Sequence, residues 1–325
     1  MNGTKVATII CWAISALVLT GLIIWFIISF VIGGNGLFGG IINIPGINFG
    51  STENLSGAFV SQGTQEANTT SIDSINISWV AGEVTLTPHD GNAIEVTEYA
   101  QRNLRDNERL QMNTEGSTLT IRFRERVNIG NMPRKNLEVL VPRELSENLE
   151  ALTISTTSGN VKVDSFEAQT TKLNSVSANI NISNIVSQLI DISTTSGDIG
   201  ASSVRTGKLD TSTVSGDLTA TETIATILDI NSTSGRTNAT GEFDRIDASS
   251  VSGDKTIRSS AVPSQVRIST TSGDTNLYIP NQGEITVNHS AVSGRFSSEV
   301  SVRIQNSAAY NFSSVSGDTN IYVMD

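Results

Sequence analysis

The sequence predicts an all-β chain: a β-solenoid, parallel β-helix-like, of ~19-residue S-G-D repeats, preceded by one N-terminal transmembrane helix. Three observations predict it. A Ser-Gly-Asp phrase returns at a near-constant interval through the second half, apolar residues fall at even spacings on both sides of it, and an uncharged apolar run opens the chain. The expected organisation is a cytoplasmic N-terminus at 1–5, a transmembrane helix at 6–32, a flexible linker at 33–70, a β-rich N-terminal cap with the first solenoid strands at 71–150, and solenoid repeats at 151–325.

The first element is the run 6–32, VATIICWAISALVLTGLIIWFIISFVI, 27 positions without a charge. As a helix it extends roughly 40 Å, enough to cross a bilayer core of about 30 Å with some tilt. Bulky residues continue to Ile32 with no A-x-A site, which favours an uncleaved signal anchor over a cleaved signal peptide. Lys5 is the only charged residue before the run, the next charge is Glu53, and the next basic residue is Arg102. The positive-inside bias therefore predicts a single-pass protein of the cell membrane, with its N-terminus cytoplasmic and the bulk of the chain extracytoplasmic. Cys11, the single cysteine, lies inside the run, so neither an intrachain disulfide nor a cysteine metal site is available. Ile10 is too large for the small residue that precedes a lipidated cysteine, and Cys11 reads as a buried, inert thiol.

Residues 33–70 begin GGNGLFGGIINIPGINFG and read as a tether, because repeated Gly opposes both helix and strand. Four stretches of the next segment alternate apolar and polar: INISWVAGEVTLTP (75–88), AIEVTEYA (93–100), STLTIRFRE (117–125) and NLEVLVP (136–142). Period-two alternation marks half-buried strands. WVAGE (79–83) reads as a diverged first copy of the repeat with Gly82 at its centre, and a terminal cap is what a solenoid needs to close its open edge.

The repeats then follow as TTSGN (156–160), SVSAN (175–179), TTSGD (194–198), TVSGD (213–217), STSGR (232–236), SVSGD (250–254), TTSGD (270–274), AVSGR (291–295) and SVSGD (314–318). Counted from one marker Gly (or Ala178) to the next, the steps are 19, 19, 19, 19, 18, 20, 21 and 23 residues. Seven and five places before the marker come rows such as Leu209, Leu228, Ile246 and Ile192, Ile230, Ile268; two and four places after it come Val161, Ile180, Leu218 and Val163, Ile182, Ala220. Two short strands meeting at a Ser-Gly bend, stacked at about 4.8 Å, would join these rows into continuous apolar ladders. Thr211, Lys255 and His289 break or flank the rows, which predicts local irregularity, above all toward the C-terminus where the spacing stretches. Tyr278, Phe296, Tyr310, Phe312 and Tyr322 are expected to plug that end.

Two places before the marker the letters alternate Thr157, Val176, Thr195, Val214, Thr233, Val251, Thr271, Val292 before ending on Val315. A coil of about 38 residues with two similar halves explains the alternation, ahead of a 19-residue coil with alternating letters up one stack. The candidate structural turns are Gly159, Gly197, Gly216, Gly235, Gly253, Gly273, Gly294 and Gly317, placed where the backbone needs positive φ or where rungs approach closely. The next position reads Asn160, Asn179, Asp198, Asp217, Arg236, Asp254, Asp274, Arg295 and Asp318. A calcium ladder fits it poorly, because calcium solenoids supply several oxygen ligands per turn and here one carboxylate per repeat is interrupted by Arg.

The membrane run, the I-x-I-S-x-V-x-G-E-V-T-L-like strand at 75–86, the V-L-V-P strand end at 139–142 and the serial T-[TV]-S-G-D repeats together resemble the bacterial putative-adhesin family of β-strand-repeat (β-solenoid), membrane-anchored proteins of unknown function. The resemblance covers roughly residues 72–325. It implies a bacterial envelope protein with a right-handed solenoid and a modulatory role near envelope-stress functions, and it defines no catalytic residues.

Chemistry-bearing patterns are sparse. The net charge of −11 argues against nucleic acid, and the nine basic residues between Arg102 and Arg143 are matched by twelve acids between Glu83 and Glu150. The two histidines, His89 and His289, read as solvated or packed, and no nucleophile elbow, Walker loop, dinucleotide fingerprint or H-E-x-x-H occurs. No catalytic, cofactor-binding or metal-binding residue is assigned, and no cofactor is expected. The expected function is a non-enzymatic adhesin or scaffold at the cell envelope, with the cytoplasmic membrane and a cell-wall polymer or another envelope protein as partners. The alternatives are an envelope-stress-linked regulatory partner of a membrane sensor or transporter and, on fold analogy alone, a carbohydrate-active enzyme.

Overall fold

A computed structural model describes residues 58–124, 133–281 and 283–324. The predicted cytoplasmic N-terminus at 1–5, the transmembrane helix at 6–32 and positions 33–57 of the linker lie outside the described residues. Among those described, no helix is long and apolar enough to cross a membrane. The architecture is all-β, a β-solenoid, and the described residues fall into two compact units, one ending at Ser187 and the other starting at Gln188.

In the unit from Gln188, each turn of chain is one rung, and each rung stacks on the next in parallel register. Leu209 lies beside Leu228, Leu228 beside Ile246, and Ile246 beside Val266. On the far side of the bend Ile199, Leu218 and Thr237 pair in the same way. The partner of a residue is therefore its equivalent 18 to 20 positions on, and the coil has about 19 residues. This corrects the expectation of a 38-residue coil: Thr195, Val214, Thr233, Val251 and Thr271 climb a single outer column, because the positions around them pair rung to rung. Nothing in the structure explains why the letters alternate.

The predicted apolar rows are the core. Ile190, Leu209, Leu228, Ile246, Val266, Ile192, Ile230, Ile268, Leu218 and Ala220 are all buried. Burying one such branched side chain is worth about 1.5–3 kcal/mol, so the repeated rows supply the main drive for stacking. Thr211 and Lys255 cause no irregularity, contrary to expectation. Thr211 pairs with Ile230, Lys255 lies between Thr237 and Thr275, and both side chains are buried.

At the C-terminus the order of rungs departs from the order of the chain. The strands Tyr310–Ser316 and Thr319–Val323 pair with Gln265–Ser272 and Thr275–Ile279 on one side. On the other side they pair with Ile285–Ser293 and Phe296–Ser298. The last repeat is thus inserted between its two predecessors, and the Gly294 rung is outermost. The unit ending at Ser187 shows the same device. Ser74–Ala81 and Val84–His89, which flank Gly82, lie between Thr118–Arg122 with Lys135–Pro142 and the Gly159 rung. Antiparallel strands complete this unit: Ala93–Ala100 on Lys135–Pro142, Val60–Asn68 on Ala93–Ala100, and Gln111–Glu115 on Thr118–Arg122.

Inside that unit Trp79 is buried edge-on to Phe123, at 4.9 Å between centroids, and donates Nε1–H to the Lys135 carbonyl at 2.8 Å. The late aromatics divide. Tyr310 and Phe312 are buried in the inserted rung and Phe296 is half-buried, but Tyr278 and Tyr322 stack on the outer surface, 4.7 Å apart, instead of plugging the end.

Candidate functional site

Gly159, Gly197, Gly216, Gly235, Gly253, Gly273, Gly294 and Gly317 all have positive φ, each at the bend between two arms of a rung. Gly216 shows why no other residue fits: its φ is +153°, and a Cβ would stand 2.0 Å from the Gly197 carbonyl oxygen. The backbone conformation and the close approach of the neighbouring rung both exclude a side chain. The residue after the Gly holds the corner together. The Asp217 N–H donates to Asp198 Oδ1 and the Arg236 N–H donates to Asp217 Oδ1, both at 2.8 Å. The series continues with Asp274 N–H to Asp254 at 2.9 Å, Asp318 N–H to Asp274 at 2.8 Å and Arg295 N–H to Asp318 at 2.8 Å. The Arg236 backbone N–H, then its guanidinium, holds the Asp217 carboxyl below the ordinary range. One oxygen of each of these carboxylates accepts from the backbone of the next rung, and that bond gives the Asp row a structural task.

Sequence reasoning missed a second bend. Ser165, Asn184, Ser203 and Glu222, nineteen residues apart, also have positive φ, between 51° and 63°. Side-chain bonds brace it: Ser203 Oγ donates to Glu222 Oε2 at 2.7 Å, and Asn184 Nδ2 donates to Asp164 at 2.8 Å. The spacing was the only available signal, since the residue type changes from turn to turn.

On the outer face of the unit from Gln188, two polar columns run side by side. One reads Ser212, Asn231, Ser249, Ser269 and Ser313 in rung order, the other Asp210, Asp229, Asp247, Arg267 and Asn311. Lys208 Nζ bridges Asp210 at 2.7 Å and Asp229 at 2.8 Å, and Arg267 pairs with Asp247 at 3.3 Å. Burial opposes the Lys208 charge, but its bonds to the two aspartates outweigh that and hold the ammonium well above its ordinary value. Burial raises the Asp210 carboxyl, with the Lys208 bond pulling the other way. Beside the bend, Asn320 Nδ2 donates to Asn276 at 3.0 Å, and Arg258 lies 4.4 Å from the Tyr278 ring centre. In rung order Arg258 and Tyr322 sandwich Tyr278. Chemically, this face offers hydroxyls, amides and neutralised carboxylates at a fixed repeat of about 4.8 Å.

The unit ending at Ser187 carries a polar cleft of ≈ 720 Å³ lined by Thr69, His89, Asp90, Asn92, Arg143, Glu144 and others. Arg143 Nε donates to Asp90 at 3.2 Å, and His89 Nε2 donates to the Ala93 carbonyl at 2.9 Å. His289 lies tilted against Phe296 at 5.1 Å between ring centres, and burial holds its imidazole below the ordinary value. Among the described residues no three His, Cys, Asp or Glu side chains converge as metal ligands.

The family model described as Toastrack DUF4097 matches residues 72–324. No curated protein matches the sequence. Among solved structures, a putative adhesin from Bacteroides fragilis is 15% identical, with 79% of this chain and 95% of that chain covered and a TM-score of 0.43. A putative adhesin from Parabacteroides distasonis is 13% identical, with coverage of 82% and 98% and a TM-score of 0.42. A putative lipid binding protein from Parabacteroides distasonis is 13% identical, with coverage of 80% and 96% and a TM-score of 0.36.

Proposed function

Because the chain belongs to the Toastrack DUF4097 family, we propose that it is a membrane-anchored, extracytoplasmic β-solenoid that serves, without catalysis, as an adhesin or scaffold at the bacterial cell envelope. The observation that carries this reading is the register of the outer columns. Ser212, Asn231, Ser249, Ser269 and Ser313 repeat one kind of polar group along a rigid sheet, beside the Asp210, Asp229 and Asp247 row. A linear partner with its own regular hydroxyls or amides, such as cell-wall polymer, can bond to such a face without ordering it first, which removes much of the entropic cost of binding. The 27-residue uncharged run supplies the anchor in the cytoplasmic membrane.

The carboxylate pair that an enzyme reading needs is best represented by Asp210 and Asp229, and Lys208 clamps both. The test is co-sedimentation of the purified chain with cell-wall material. The reading expects binding that falls about tenfold or more when Asn231 and Ser249 become Lys, a change that crowds the face but leaves the core intact. Equal binding by this variant, or release of soluble sugars by the wild-type chain, defeats the reading.

A second reading, an envelope-stress-linked regulator of a membrane sensor or transporter, rests on the uncharged run 6–32. Exchange of residues 1–35 for an unrelated anchor separates the two, since adhesion survives the exchange and intramembrane regulation does not.

A further inference from the structure

The outermost rung of the unit from Gln188 leaves a sheet edge open. On its outer side the strand Ile285–Ser293 is covered only at Ile285, Thr286 and Val287, by the short strand Val302–Ile304. Beyond Val287, among the described residues, no strand pairs with the outer side of Asn288–Ser293. Phe296–Ser298 has Thr319–Val323 as its sole strand partner among those residues.

Two further observations make this edge unusual. The first is its chemistry: Asn288–Ser293 reads NHSAVS, with no charge and no proline. Edge strands are ordinarily guarded by charges, prolines or bulges, because their free N–H and C=O groups invite pairing. The other unit follows that rule: its edge strand Val60–Asn68 carries Glu66 and a register shift between Ser61 and Thr64. The second observation is an unsealed core. One rung inward, Phe312, Ser314 and Thr319 are each 3% exposed. Their partners in the outermost rung, His289, Ala291 and Phe296, are only half-buried. Val292 and Ile304 beside them are 43% and 61% exposed.

We propose that the Asn288–Ser293 edge pairs antiparallel with the same edge of a second copy of this chain, across a two-fold axis, to give a closed dimer. A second copy fits better than a foreign strand because one contact then covers two unsealed core ends. The edge is also neutral and so does not oppose its own copy. An isologous contact uses up the edge on both chains and cannot propagate into a fibre. Pairing centred on Ser290 sets Asn288 opposite Val292 of the other copy on the outer face, and His289 opposite Ala291 on the core side. The net charge of −11 opposes approach of the two bodies, so added salt strengthens the dimer.

The experiment uses the full chain in detergent in a Cys11→Ser background, so that no native thiol interferes. Asn288→Cys combined with Val292→Cys should give a disulfide-linked dimer under mild oxidation, and the same pair of cysteines at Ser212 and Ser249 should not. Sedimentation should show a dimer weakened about tenfold or more by Val292→Lys, an exposed position where charge leaves the fold intact. Unchanged melting of that variant at low concentration confirms that folding is untouched. A monomer throughout the micromolar range overturns the proposal. So does a dimer indifferent to Val292→Lys, which assigns association to another surface.

Discussion

Lys135, in the unit ending at Ser187, and Lys255, in the unit starting at Gln188, are both sealed from solvent, at 0% and 1% exposure. Their surroundings differ. Lys135 Nζ donates to Glu98 Oε2 at 2.9 Å and to the carbonyls of Glu108 and Phe123, and it lies 4.1 Å and 5.0 Å from the ring centres of Phe123 and Trp79. Lys255 Nζ donates to Ser250 Oγ, which is 3.1 Å from Thr270 Oγ1, and among the described residues no carboxylate pairs with it inside the core. Burial, the largest effect, pulls both ammonium groups down to about 8, opposed by Glu98 at Lys135 and by the charge of Asp254 at Lys255. The contrast separates two uses of a buried charge. Lys135 fastens segments brought from positions 98, 108 and 123 into one place, whereas Lys255 occupies a column already secured by its neighbours Thr237 and Thr275.

The sharpest way to break the comparison is Lys135→Met. It leaves the buried Glu98 carboxylate, among the described residues, with the Leu110 N–H at 3.1 Å, and removing one partner of a buried pair costs about 3–5 kcal/mol. Denaturant unfolding should show that loss; less than about 1 kcal/mol would mean that the clasp is dispensable.

Lys255→Met should act in the opposite direction. A fall from 10.5 to about 8 corresponds to a penalty of about 3 kcal/mol for burying the charge, so the variant should gain about 2–3 kcal/mol at neutral pH after losing the Ser250 bond. A destabilised Lys255→Met would show that the ammonium serves the fold.

The pH dependence sharpens the same point. Between about pH 8 and 10 the unfolded lysines hold protons that the folded ones have released, so stability rises with pH across that window. Below it both states are protonated and the burial penalty is felt in full. Melting temperatures should climb through the window in the wild-type chain and climb less in Lys255→Met.

The smallest effect is expected at the second bend, away from both lysines. Glu222→Gly relieves a left-handed residue but loses the Ser203 bond and adds backbone entropy to the unfolded chain, for a net gain of about 0.5 kcal/mol. A loss of more than about 1 kcal/mol would show that the Ser203–Glu222 bond outweighs the strain of the left-handed backbone.

The rows of Leu209, Leu228 and Ile246 were legible because a period of two fixes the inward face of a strand, and a period of nineteen repeats that face at each turn. The Ser-Gly corner was legible because only Gly combines a φ of +153° with a backbone contact as tight as that at Gly216. The second bend was not, since Ser, Asn and Glu reach the left-handed region there without a common letter. Nor was the position of Tyr278 and Tyr322, which follow the strand period onto the outer face. The outer polar columns were readable as letters, but not the Lys208 clamp on Asp210 and Asp229, because that bond joins side chains of adjacent rungs.

Local periodicity in the sequence was enough to determine strands, inward rows, glycine corners and the repeat itself, because each depends on a residue and its near neighbours. The tertiary structure alone decided that a turn takes 19 residues, that Thr319–Val323 sits between Thr275–Ile279 and Phe296–Ser298, and which carboxylate receives Lys135. The reason is that the rungs carry nearly the same letters, so many pairings satisfy the pattern. Only the packing of complete rungs, with the loops that must reach between them, makes one stacking order lower in free energy than the others.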